Sequence, residues 1–131
     1  MKALKPPGWP RPKGYSNGIS ASGRTIFTAG VVGWNETEKF AATDLAGQFR
    51  QALENILAIL REDEAGPEHI VRMTCFVTDI HAYRSSIKEI GAAWRELIGR
   101  HYPAMAVVEV GALVEPEARV EIEATAVVPE P

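Results

Sequence analysis

Two stretches of the chain carry apolar residues at helical spacing, and most of the remaining pattern reads as strand. After Thr43, the residues Leu45, Phe49, Ala52, Leu53, Ile56 and Leu60 recur at helical spacing on one face. This predicts an amphipathic helix of about four to five turns with one face in a core. Thr43 is placed to cap it, and Asp44 falls in its first turn, where a carboxylate meets the positive end of the helix dipole. The run Glu64-Ala65-Gly66-Pro67 stops it. A second stripe, Ile80, Tyr83, Ile87, Ile90, Trp94 and Leu97, predicts a second helix, capped by Asp79 and ended by Gly99 and Pro103.

Between the two helices, residues 70–77 (IVRMTCFV) hold too many apolar side chains for an exposed edge and read as a central strand. Two further strands are expected over 105–110 and 119–128, joined by a turn around Glu115-Pro116-Glu117. Near the start, SNGISA and TIFTAG flank Ser22-Gly23-Arg24, which reads as a hairpin, and residues 31–42 read as loop. Residues 1–14 form a proline-rich arm (Pro6, Pro7, Pro10, Pro12), expected to be extended and to be pinned by Trp9. Residues 15–131 then make a single domain.

The order β-β-α-β-α-β-β has no internal repeat and points to an α+β fold, a two-layer sandwich with both helices on one face of a mixed sheet. One chain has no element left to cover the other sheet face. That face is therefore expected to pack against other subunits.

Composition narrows the function. With 131 residues, 46 % of them hydrophobic, one chain can bury a real core without a second domain. No apolar run approaches the roughly 20 residues that span a bilayer, and MKALKPPGWPRPKGY lacks an apolar signal core, so a soluble cytoplasmic protein is expected, with no membrane partner. The net charge of −3 and mixed-sign surface offer no basic track for a phosphate backbone, which argues against nucleic acid. The lone Cys75 cannot form an internal disulfide, and no histidine stands at metal-ligand spacing from it, so no metal site is expected.

Strand alternation sorts candidate chemistry. Met105, Val107 and Glu109 point one way and Ala106, Val108 and Val110 the other, while Glu121, Glu123 and Thr125 oppose Val120, Ile122, Ala124 and Ala126. The three glutamates are expected to share one face with Met105 and Val107, distinct from the helix-packed side. Two readings stand: solvated carboxylates paired with Arg119 and a neighbouring subunit, or one carboxylate in an inter-subunit cleft, fitted to move protons to and from a water. Cys75 in a buried strand reads as an inert core residue, and His69, His81 and His101 each adjoin an element end, where capping or exposure explains them. Trp34, between Gly33 and Asn35, is either an interface anchor or a pocket wall.

Taken in order, Tyr15-Ser16-Asn17-Gly18, IFTAG, RQALENILAIL, IVRMTCFVTD, PAMAVVEV and VEIEATA resemble the RidA (YjgF) family over nearly the whole chain from Tyr15 onward. The resemblance implies a chorismate-mutase-like homotrimer with ligand clefts between subunits. It also implies hydrolysis of reactive enamines and imines to carbonyl compounds and ammonia, without a cofactor. Carried over by position, Tyr15 and Gly30 would line the cleft and Glu121 would position or activate the attacking water. Three positions depart. Met105 stands where the family's PAR motif has a carboxylate-binding arginine, Val107 where a cysteine is common, and Ile87 where some members carry an asparagine. An arginine pairs bidentately with a carboxylate and methionine does not, so the changes imply a less polar substrate than is usual for the family. A non-catalytic trimer that binds a small metabolite is the alternative, favoured by the missing arginine.

Overall fold

A computed structural model describes residues 1–131. The strands are β1 (Lys2–Leu4), β2 (Gly18–Ser20), β3 (Arg24–Phe27), β4 (Val31–Val32), β5 (Ile70–Val77), β6 (Ala104–Glu109) and β7 (Val120–Val128). The helices are α1 (Leu45–Arg61), α2 (Ile80–Ser85) and α3 (Ile87–Leu97), with a 3-10 turn over Pro67–His69. The expected α+β architecture holds, a mixed sheet with its helices on one face. The main sheet runs β3-β7-β5-β6, β4 also pairs with β7, and only the β5–β6 pair is parallel.

The strongest periodic signals translate directly into core. Phe49, Ala52, Leu53, Ile56 and Leu60 of α1 are fully buried against Met73, Cys75 and Val77 of β5 and Val120, Ile122 and Ala124 of β7. Each large side chain buried this way contributes about 1.5–3 kcal/mol, and α1 supplies several. From α3, Ile90 and Trp94 join the same cluster. As expected, β5 is central, hydrogen-bonded to β7 on one side and β6 on the other. Gly99 adopts φ +87°, a left-handed conformation that glycine takes at no steric cost, just past the end of α3.

Several local expectations are corrected. The cap of α1 is Asp44, not Thr43: its carboxylate accepts from the Gly47 amide at 3.3 Å. The second helix is two, because Ser86 leaves helical geometry (φ −103°, ψ 13°) and separates α2 from α3. Asp79 caps α2 as expected, accepting from the amides of His81 and Ala82. The hairpin across Ser22-Gly23-Arg24 does not form. Strand β2 pairs with β1 of the arm, and β3 pairs with β7, where Thr28 Oγ1 also accepts from the Ala124 amide. A turn signal reports a chain reversal, but partner choice is set by the long β7 edge. The arm is extended in part, held by the β1–β2 ladder rather than by Trp9, which is 55 % exposed. Within the expected loop 31–42, Val31 and Val32 pair with Ile122 and Glu121.

The sheet face away from the helices is open. Phe27 on β3 is 75 % exposed there and Val108 on the far edge strand β6 is exposed on the same face, while Glu121, Glu123 and Thr125 point the same way from β7. No helix of the chain is long and apolar enough to cross a membrane.

Candidate functional site

The sheet register divides the expected site residues between two places. In the β5–β6 pair Met73 lies opposite Met105 and Cys75 opposite Val107, so Met105 and Val107 share the helix-facing side with the buried residues of β5. Phe76 lies opposite Glu121 and Thr74 opposite Glu123, which puts both glutamates on the open side. The single carboxylate-bearing face expected from alternation is therefore overturned. Alternation sorts side chains within a strand but does not align two strands, and β6 and β7 are separated by β5. Glu109 falls with Met105, and its Oε1 accepts from the Ile80 amide at 2.9 Å, so it serves the start of α2. Arg119 does not pair with the glutamates: its Nε donates to the Thr43 carbonyl at 2.5 Å.

On the helix side, Tyr15, Ile87, Met105 and Val107 line one cavity of about 510 Å³. These are four of the expected ligand-contacting residues, brought from the end of the arm, the start of α3 and β6. Phe49, Ile90 and Trp94 make its inner wall, and Tyr102 stacks on Trp94 with ring centroids 6.4 Å apart. The Trp94 indole is fixed by donating to the His101 carbonyl at 3.1 Å, and His101 Nε2 is 2.6 Å from the Ile70 carbonyl. Nine of the thirteen lining residues are hydrophobic, so the cavity selects an apolar body. Tyr83 also lines it; burial, with a smaller contribution from Cys75, pushes its phenol up to about 12.

On the open face, Gly30 and Glu121 meet. A Cβ on Gly30 would sit 2.5 Å from Glu121 Oε2, so any larger residue there would push the carboxylate aside. Glu121 is half-buried and opposite Val32 in the ladder. Its carboxylate has no hydrogen bond or ion pair within the chain.

Trp34 belongs to neither group. Its carbonyl accepts from Asn55 Nδ2 at 2.7 Å and its ring leans on Phe40, centroids 5.8 Å apart. Cys75 is inert as expected, its thiol pushed up to about 12 by burial. His69 accepts the Gly66 amide on Nδ1 at 3.0 Å, an element-end role. Residues that sequence reasoning did not assign to a site are Tyr83 and Trp94, read as core because they continue the α2–α3 stripe, together with Lys13, Arg95 and Tyr102. The stripe is longer than the core it covers, and its surplus walls the cavity.

The chain as a whole is similar to known proteins. Residues 10–128 match the family model described as Endoribonuclease L-PSP. The chain is 31 % identical over 116 residues to the 2-iminobutanoate/2-iminopropanoate deaminase of Escherichia coli K12, covering 86 % of each protein. A conserved Rid-family protein of unknown function from Yersinia pestis superposes with a TM-score of 0.84 at 30 % identity, covering 97 % of this chain and 98 % of that one. A YjgF/YER057c/UK114 family member from Mycobacterium tuberculosis gives a TM-score of 0.67 at 35 % identity, over 88 % of this chain and 87 % of that one. With its sequence matched over residues 10–128 and its fold shared with these proteins, the chain belongs to the RidA (YjgF) family.

Proposed function

We propose that the protein hydrolyses a reactive enamine or imine to a carbonyl compound and ammonia, in a cleft that two subunits of a homotrimer build together. One observation carries this reading. The apolar cavity of Tyr15, Ile87, Met105 and Val107 and the pair Gly30–Glu121 lie on opposite faces of one sheet, so a single cleft containing both draws them from two chains. The open face with exposed Phe27 and Val108 is the surface such an association would cover.

In that cleft the Glu121 carboxylate takes a proton from water as the oxygen adds to the C=N carbon. It returns that proton to nitrogen, giving a carbinolamine, and then carries the hydroxyl proton to the same nitrogen as the C–N bond breaks, leaving the carbonyl and ammonia. Atoms balance with water as the only co-reactant, and no cofactor is called for. Met105 supplies no charge where the family's arginine would meet a carboxylate next to the reacting carbon. Removing such a contact costs about 2–5 kcal/mol, so short 2-imino acids are poor substrates and bulkier, less polar imines are better ones. The ribonuclease activity named in the family model's description has less support here, because a chain of net charge −3 offers no basic track for RNA. A single buried thiol suits a reducing compartment such as the cytoplasm.

The test is ammonia release from imines generated in situ by an amino-acid oxidase, across small, aromatic and carboxyl-blocked precursors. Turnover of bulky imines that is lost in Glu121→Gln supports the reading. Absence of turnover on every precursor, in a protein that still binds ligands, would leave a metabolite-binding trimer instead.

A further inference from the structure

The cavity that lost its arginine is not without positive charge: Lys13 and Arg95 both line it, and both are exposed at its mouth. The chain's ion pairs engage Arg24, Arg50 and His69, and neither Lys13 nor Arg95 has a carboxylate partner. The guanidinium of Arg95 folds back along α3 over Gly91, where a Cβ would lie 3.4 Å from its terminal nitrogen. Gly91 itself lines the cavity, so the terminal nitrogen of Arg95 lies close to the cavity lining while the side chain stays exposed. Lys13 also lines the cavity, from the arm two residues before Tyr15, in a stretch that borders a neighbouring groove with Arg11. Apolar walls thus lead outward to two unpaired cations.

We propose that anion recognition in this protein has moved from the cavity wall at position 105 to its rim, where Lys13 and Arg95 hold an acid group separated from the reacting carbon by an apolar spacer. The ligand class is an amphipathic anion: an aryl or alkyl body seated against Met105, Val107 and Trp94, with a carboxylate at its far end. A 2-imino acid does not fit this description, because its charge is adjacent to the C=N carbon and would sit against Met105. The inference rests on the cavity being the ligand half-site of the proposed hydrolase, and it names the substrate class of that site. Both cations are solvated, so their effect is moderate and screened by salt.

The test is calorimetric titration of the whole protein with three unreactive probes: 4-phenylbutanoate, its uncharged analogue 4-phenylbutanamide, and 2-oxobutanoate. The acid is expected to bind about tenfold more tightly than the amide, the size of a charge-assisted contact partly exposed to water. That advantage is expected to shrink to less than about threefold in the Lys13→Met/Arg95→Met double variant and to fall with added salt. The amide should bind the double variant as it binds the wild type, which shows that the cavity is intact. 2-Oxobutanoate should bind weakly to the wild type and gain affinity in Met105→Arg. Equal binding of acid and amide to the wild type, or an acid preference that survives the double substitution, overturns the rim site while leaving the hydrolase reading to the Glu121→Gln turnover assay. Failure of all three probes to bind overturns it as well, even if that assay still reports turnover.

Discussion

The helix-side cavity and the open sheet face are built by different means. The cavity is walled by side chains that one chain already holds in place: Phe49 and Ile90 belong to the buried core, and Trp94 is fixed by its hydrogen bond to His101 and its stacking on Tyr102. The open face carries Glu121 beside Gly30 and, farther along β7 opposite Thr125, a large exposed aromatic, Phe27. One region is walled on its own, and the other lies open within the single chain. Within a single chain, packing preorganises the proposed binding half of the site and leaves the proposed proton-transfer half, Glu121, on an open surface.

Four substitutions sharpen or break that contrast. The largest effect is expected from Glu121→Gln, which removes the base while keeping shape. Turnover should fall about 10²–10⁴-fold, with probe affinity in the cavity unchanged by calorimetry. Next, Phe27→Asp places a charge in the layer that association would bury. Sedimentation should then show a 14.3 kDa monomer instead of a trimer, with turnover lost and far-ultraviolet dichroism retained. Third, Met105→Arg should raise kcat/KM for short 2-imino acids over bulky ones by about 10- to 100-fold, the worth of a bidentate carboxylate contact.

The smallest effect concerns stability and pH. Burial raises the Cys75 thiol from 9.0 to about 12, so the folded state holds a proton that the unfolded chain releases. The unfolded state binds fewer protons between those values, and stability should fall there by about 1 kcal/mol per pH unit. Below pH 9 both states keep the proton and the contribution is constant. Denaturant titrations from pH 8 to 10.5 should show a shallower decline in Cys75→Ala than in the wild type.

Much of the fold was legible in the sequence because its strongest signals are local. The spacing of Leu45, Phe49, Leu53, Ile56 and Leu60 named the buried face of α1, and the apolar density of residues 70–77 named the central strand. What misled were decisions made between distant segments. Ser22-Gly23-Arg24 marks a reversal, yet β3 leaves β2 for an edge about a hundred residues away. The break at Ser86 interrupts a stripe whose spacing reads straight through it. For the site, the resemblance to the RidA family named Tyr15, Ile87, Met105 and Val107, and they meet in one cavity. It also named Gly30 and Glu121, and they meet in another place. That the two sets lie on opposite faces depends on the β5–β6 and β5–β7 registers, and no periodicity within a strand carries that information. Lys13 and Arg95 were invisible for a simpler reason: a charged residue on an arm or an exposed helix face is ordinarily solvated.

A cleft shared between subunits takes its cavity from one chain and Glu121 from another. Subunits carrying only Glu121→Gln and subunits carrying only Ile87→Trp, which fills the cavity from a position 52 % exposed, should each be inactive alone. Mixed by joint refolding at equal amounts, they should recover about a quarter of wild-type turnover, because chance pairing unites an intact cavity with an intact Glu121 at one interface in four. No recovery, with mixed trimers demonstrated by mass spectrometry, would contradict a site shared between chains.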